Sequence, residues 1–567
     1  MRLSRKDLAF YVLVLTAVVL PFTGPVGIVV GTLLACALLG LPLFALIGFL
    51  SVACFLVFGD ADLDPLVRLT ALVERITNLS DQEDLLAVPL FMLSGSVMAR
   101  GQISARLIDF SKAVIGWIPG GLAVSAVLAC MLFAAISGSS PATVVAIGGM
   151  MAPTLIRHGY PDTFSHGLLT SSGSLGILIP PSIPMILYPL INQRAGIETS
   201  ALFAAGFGPG LVIGAILAGL CVYHGIRDGA EREAFSLATL GQRTFDGFWS
   251  LLFPITILGG IYTGFFTVVE AAGFSVVYAV VVEVAIHRAL SLKDVPAISK
   301  ETGVILGALL VIMVSALAFS EFLHLQEVPA AAAAWIESMN LSPLMFLVIV
   351  NLLLLVVGML MDIISAMFLF VPLLAPMAMS MGIDPMHFGI IFIVNLEIGY
   401  LTPPVGLNLF VASTLWNKSM GHMVRSVGPF IVAMIGGLAL ITYFPSISIG
   451  FGSWILGEEE RPAYVEPDPL DDEPLDDLPD DAEGTDDEMP SMEEMMEEAE
   501  DADPSSANEP DHPLTMEEMM ELAEEQAEDE PGEDEPSEEP EEEPSSEPAL
   551  PNRPMTMEEM MEAAGVE

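Results

Sequence analysis

Two parts of a very apolar chain concentrate its uncharged oxygen atoms. Thr170, Ser171, Ser172 and Ser174 crowd the approach to Gly176-Ile-Leu-Ile-Pro180-Pro181. Asn395, Thr402 and Asn408 surround Gly399-Tyr-Leu-Thr-Pro403-Pro404. An isolated hydroxyl in a membrane helix usually bonds to its own backbone. Hydroxyls and amides clustered where helices break instead suit a hard cation such as Na+, which takes oxygen ligands. Two carboxylates join them, Asp362 and Glu397. Charge at membrane depth is costly, so both are functional candidates by default. Glu270 and Glu283 are read as facing neighbouring helices or another subunit. The four cysteines lie inside apolar runs and read as small buried hydrophobes. The eight histidines are scattered. With no nucleophile–base pair and no metal-ligand spacing, an intramembrane enzyme is disfavoured. No cofactor and no nucleic-acid partner is expected.

The elements that hold these groups follow from hydropathy. The chain has 567 residues, 53% hydrophobic, with mean hydropathy +0.64. Apolar runs occupy about 8–22, 25–39, 41–58, 85–99, 117–136, 142–156, 162–191, 201–223, 248–267, 272–290, 301–322, 343–360, 363–380, 386–416 and 427–451. Most are long enough to cross a lipid bilayer. The start, with Arg2, Arg5 and Lys6 before an apolar core, reads as an uncleaved first helix whose N-terminus is cytoplasmic. The basic loops at Arg100–Lys112, Arg157–His158, Arg227–Arg243, His287–Lys300 and Lys418–Arg425 all fall on the cytoplasmic side only if 117–156 and 343–380 are re-entrant hairpins.

The two hairpin tips would be Ser137-Gly-Ser-Ser-Pro141 and the stretch from Gly358 to Asp362. A Gly-x-Leu-x-Pro-Pro element follows each hairpin. Proline in a helix interior costs roughly 3 kcal/mol, so both following helices should be interrupted. Hairpin then broken helix, twice, entering from opposite sides, is an inverted repeat. Transporters build midplane sites this way, because unwound backbone exposes carbonyls and amides. The expected fold is therefore an all-α polytopic membrane protein, an inverted-repeat transporter with two re-entrant hairpins and two interrupted helices.

Several stretches extend this to a family. VPLFMLSGSVMARG, GWIPGGLAVSAVLACMLFAAISGSS, SSGSLGILIPPSIPMILY, ILGGIYTGFFTVVEAA and HFGIIFIVNLEIGYLTPPVGLNLFVAS resemble the large membrane subunit of TRAP transporters, the DctM type. The likeness runs from about Gly24 to Phe451. It implies an elevator-type secondary transporter in a bacterial or archaeal cytoplasmic (inner) membrane, importing small carboxylate-bearing molecules with Na+ as coupling ion. It also implies two partners, a small four-helix membrane subunit and a soluble periplasmic substrate-binding protein. Matched motif by motif, one sodium site would involve Ser137, Gly138 and Ser140 with Gly173, Gly176 and Pro180. The other would involve Gly358 and Asp362 with Gly399, Thr402 and Pro404. Substrate would lie between the tips, against Ser139, Ser174, Asn395, Pro181 and Pro403. The alternative is a stand-alone anion:sodium symporter of similar fold that needs no binding protein. Two positions depart from the family pattern: FTVVEAA (266–272) lacks a proline, and Thr154 stands where an acidic residue is common.

The domain reading is an extra N-terminal helix at 1–23, a membrane domain at 24–457 (repeats about 59–223 and 248–451) and a tail at 458–567. The tail carries 46 of the 71 acidic residues and two of the 20 basic ones, a net −44 of the total −51. Its Pro, Glu, Asp and Ser cannot bury a core, so disorder is expected. SMEEMMEEAE, TMEEMMELAEE and TMEEMMEAAG repeat within it. They read as short acidic amphipathic helices too short to be stable alone, in a spacer or a docking motif. Counting crossings from a cytoplasmic N-terminus leaves this tail in the periplasm.

Overall fold

A computed structural model of the chain describes residues 43–58, 82–229, 234–328 and 341–457, with a few single positions in 329–340. The N-terminal helix at 8–22, the run at 25–39 and the acidic tail lie outside the described residues. The described residues form helices and no strands. Among the described residues six helices are long and apolar enough to cross a membrane, or up to eight if each of two sharply bent pairs is one span. The architecture is therefore that of an all-α polytopic membrane protein.

One group of helices makes a framework. Helix α1 spans Leu43–Phe58. Helix α2 (Ala87–Arg100) meets α3 (Ile103–Ile115) at a 72° bend. The bend is held by Glu283, whose carboxylate accepts the Gln102 and Ile103 N–H groups at 3.0 Å each. Those are orphan donors at the start of α3, so a buried carboxylate there is well placed. Helices α4–α9 belong to the second group, below. The framework continues with α10 (Leu237–Asp246), α11 (Phe248–Tyr262), α12 (Val268–Val280, extended by a π segment, Val281–Ile286) and α13 (Val295–Leu325). Helix α12 packs on α2, and α13 on α1 and α2. Thr267 and Glu270 form a reciprocal capping box at the start of α12, so Glu270 serves its own helix, while Glu283 braces a neighbour.

The second group holds the polar breaks. Helix α4 (Gly121–Ser137) stops at Gly138, whose φ of +57° suits glycine and whose N–H bonds Ala134. Ser139 is extended, and the chain returns through α5 (Ser140–Thr143), a π segment (Val144–Gly148) and α6 (Gly149–Arg157). Helix α7 (Asp162–Gly173) tightens into a 3-10 turn (Ser174–Ile177), breaks at the prolines, and resumes as α8 (Ile183–Ile191); α9 (Thr199–Arg227) follows.

The pattern recurs later in the chain. Helix α14 (Pro343–Leu360) ends at the extended Met361, and Asp362 caps α15 (Ile363–Ser380). Helix α16 (Pro385–Gly399) breaks before α17 (Leu407–Leu415); α18 (Met420–Tyr443) and α19 (Ile449–Leu456) complete the body. Both Pro-Pro peptide bonds are cis.

Helix α18 shows that the two halves are inverted. At its start, Lys418 reaches Asp162 at 3.0 Å and His422 faces His166 at 3.3 Å, so α7 begins there. At its far end, Thr442 lies beside His387, so α16 begins at the opposite end. The first hairpin starts and finishes at the α7 end: Gly120 packs on Cys221 and Gly225 near the end of α9, where His224 meets Phe164. The second hairpin belongs to the other end, with Asn351 of α14 donating to Thr442 at 3.1 Å. Each hairpin tip thus reaches the break that follows it from one side only.

Candidate functional site

Glycine sets how closely each tip approaches its break. A Cβ on Gly176 would lie 2.6 Å from the Ser139 carbonyl oxygen and 2.7 Å from the Thr143 hydroxyl. A Cβ on Gly138 would lie 2.8 Å from the Pro181 carbonyl, and one on Gly173 only 2.2 Å from Val144. In the second half, a Cβ on Gly399 would lie 2.5 Å from Gly358 Cα and C; one on Gly358 would lie 3.0 Å from Gly399 Cα. Backbone therefore meets backbone at both junctions, which only glycine permits.

Around the first junction, hydroxyls line up with carbonyls. Thr143 Oγ1 donates to the Ser139 carbonyl at 2.9 Å and lies 3.2 Å from Ser137 Oγ. Ser182 Oγ donates to Ile177 at 2.7 Å across the break. Ser171 and Ser172, both fully buried, have hydroxyls without a hydrogen-bond partner. Around the second junction, the Tyr400 hydroxyl accepts the Ile363 N–H at 2.9 Å, and the Val405 N–H reaches the Met359 carbonyl at 3.1 Å. Thr402 Oγ1 donates to Ile398 at 2.9 Å, leaving its lone pairs free. Asp362 accepts the Ser365 N–H at 2.9 Å and the Ser365 hydroxyl at 2.6 Å.

The two junctions share a cavity of about 310 Å³. Gly138, Ser139 and Ser140 line it from the first tip, Asp362 and Ile363 from the second, and Tyr400 from the second break. Its remaining wall is mainly apolar and includes Ile305 and Leu309 of α13, so the framework helix faces both tips.

The sequence-derived positions fall into three places. Ser139, Ser140, Gly138 and Asp362 line the cavity. Gly173, Gly176, Gly358, Gly399 and Thr402 sit at the junctions behind it, with Ser137 at the base of the first tip and Pro180 buried in the first break. Of the remaining proposed substrate contacts, Ser174 and Pro181 are buried behind the first tip and Pro403 lies at the rim of the second break, beside Pro404 of the proposed second sodium site. Asn395 sits one helical turn before Gly399. Its amide donates to the Ile391 carbonyl at 2.8 Å and to Asn351 of α14, which places it on the hairpin side of α16.

Three groups at the site carry weight that sequence reasoning did not assign. Thr143 and Tyr400 are hydroxyls within a few residues of a recognised break, a signal that could have found them. The third is the partnership of Glu397 with the first tip. Ser140 Oγ donates to Glu397 Oε1 at 3.0 Å, and Asn408 donates to both. All three are fully buried. Among the described residues no hydrogen bond to Glu397 Oε2 is formed, and the Ser174 hydroxyl nearby donates to the Ser171 carbonyl.

The family described as "Tripartite ATP-independent periplasmic transporter, DctM component" matches residues 30–447. A C4-dicarboxylate TRAP transporter large permease protein, DctM, of Pseudomonas aeruginosa is 41% identical over 390 residues, 68% of this chain and 90% of that one. An isethionate TRAP transporter permease protein, DctMQ, of Oleidesulfovibrio alaskensis is 32% identical over 76% of this chain and 67% of its own length. An ectoine TRAP transporter large permease protein, TeaC, of Halomonas elongata is 35% identical over 74% of this chain and 97% of that one. The crystal structure of the Alcanivorax borkumensis YdaH transporter, described as having an unusual topology, superposes with a TM-score of 0.53 at 16% identity, over 73% of this chain and 98% of that chain. It shares the fold. These relatives are named as transporters and permeases rather than enzymes, and the chain belongs to the DctM component family of the tripartite ATP-independent periplasmic transporters.

Proposed function

We propose that this chain is the large membrane subunit of a sodium-coupled, binding-protein-dependent importer of small carboxylate-bearing solutes in an inner membrane. The observation that carries this reading is the single cavity shared by two inverted hairpin tips, each backed by an interrupted helix. Its volume of about 310 Å³ sits at the small end of ligand pockets.

Each junction offers what a hard cation needs: tightly converging carbonyls, hydroxyl lone pairs and space that a Cβ would fill. Sodium is a co-substrate here. Ser137, Gly138, Ser140, Gly173, Gly176 and Pro180 would hold one ion, and Gly358, Asp362, Gly399, Thr402 and Pro404 a second. Ser139, with backbone groups of the tips, would contact the solute. Helix α13 faces both tips across the cavity, which supports an elevator motion in which the hairpin-bearing body slides along the framework. The curated relatives are named for C4-dicarboxylates, isethionate and ectoine, which supports a small oxyanion-bearing solute. Partners in this reading are a small four-helix membrane subunit and a periplasmic binding protein.

The test is reconstitution of the chain with those two partners in proteoliposomes. Uptake should require an inward Na+ gradient. Equal uptake in potassium buffer with a proton gradient would remove sodium from the mechanism, and uptake without the binding protein would favour the stand-alone symporter.

A further inference from the structure

The hydroxyl of Ser140 is held from the far half of the chain. It donates to Glu397 Oε1 at 3.0 Å, across 257 residues, and accepts from the Asn408 amide. A serine hydroxyl has one proton and two lone pairs. With the proton directed to Glu397 and one lone pair to Asn408, the orientation of the second lone pair is fixed. Ser140 is the first residue of α5 and lines the cavity at the first tip. Among the described residues no Lys, Arg or His pairs with Glu397, although the side chain is fully buried. A buried carboxylate without a cationic partner is an expensive arrangement, and Ser140 donates to it at 3.0 Å.

We propose that Glu397 is a positioning residue for the cation site at the first hairpin tip: from the second repeat it aims the Ser140 lone pair at the ion. This rests on the sodium reading above. The ion site of one repeat is then completed by a residue of the interrupted helix of the other, and Asn408 serves as the second constraint on the same hydroxyl. Glu397 itself stands behind Ser140.

The experiment is the Na+ dependence of uptake by the reconstituted three-component transporter, for the natural chain, Glu397→Gln, Ser140→Ala and the double variant. Glutamine keeps the shape and an acceptor but replaces the carboxyl that Ser140 bonds by an amide. Glu397→Gln should raise the half-saturating Na+ concentration about fivefold, more than it changes the maximal rate. In the Ser140→Ala background the same substitution should add little, because the group it acts through is gone. A shift that persists undiminished in that background would overturn the role, since the carboxyl would then act without Ser140. A fall in maximal rate with unchanged half-saturation would overturn it too, marking a merely structural residue. Should Glu397→Gln not assemble, Asn408→Ala in the same pair of backgrounds tests the second constraint by the same criterion. Sodium-independent uptake by the natural chain would instead defeat the coupling reading itself, and this inference with it.

Discussion

Replacing Gly399 by alanine is the sharpest perturbation of the second junction. The added Cβ would stand 2.5 Å from Gly358 Cα and C and 2.9 Å from its oxygen. Ordinary contact begins near 3.4 Å, so the hairpin tip and the interrupted helix must separate by about 0.9 Å. All the opposing atoms are backbone, so no rotamer change relieves the clash. Forcing a methyl group into such packing costs about 1–3 kcal/mol. If that cost falls on the ion-bound state, half-saturating Na+ rises about 5- to 150-fold. Gly436 in α18 supplies the control, because a Cβ there meets nothing within 4 Å. Gly436→Ala should transport normally, whereas Gly399→Ala should reach the membrane yet need far more Na+. Proteoliposome uptake over a Na+ series, with protein recovery measured in parallel, reads both. Wild-type Na+ dependence of Gly399→Ala, within about twofold, would refute the claim that backbone proximity at this junction builds the site.

Thr402→Ala removes one hydroxyl but leaves the backbone junction, so half-saturating Na+ should rise only about fivefold; a total loss of uptake would mean Thr402 does more than contribute one oxygen. Glu283→Ala strips the acceptor from two N–H groups at the start of α3 and should cost about 1–3 kcal/mol. The check is a lower thermal midpoint in detergent, and an unchanged midpoint would dissociate Glu283 from the bend. For the acidic tail, Ser506→Cys should react with a membrane-impermeant maleimide in intact spheroplasts, and labelling only after lysis would place the tail in the cytoplasm.

Local rules carried much of the site. Gly138, Asp362 and the two Pro-Pro elements announce a stop, a cap and two breaks through residue chemistry alone, and the helices end where those residues say. The Thr267–Glu270 spacing also spells a capping box, yet the expectation for Glu270 is a neighbouring helix or another subunit, and the structure turns it back onto the start of its own helix. The expectation that Glu283 faces a neighbouring helix pointed the right way without naming Gln102 and Ile103, whose N–H groups it accepts. What no local rule could supply is pairing at long range. Ser140 with Glu397, Asn351 with Asn395 and Thr442, and Asp162 with Lys418 join residues 44 to 257 positions apart. Each half of such a pair, taken alone, is only a polar residue in an apolar run. Asn395 and Ser174 stand close in the chain to a break, and the same long-range packing turns Asn395 toward Asn351 of α14, while Ser174 bonds the Ser171 carbonyl.

Helix α18 acts as a ruler shared by both repeats. Its first turn fixes where α7 begins, through Asp162 and His166, and its last fixes where α16 begins, through His387 and Thr442. Each residue in a helix adds about 1.5 Å of length and a turn of about 100°. One inserted residue between His422 and Thr442 would therefore throw one repeat out of phase with the other, and no adjustment at either rim could restore both. Insertions and deletions should be scarce in this span. The distance between the two sites is set along a helix that lines neither of them.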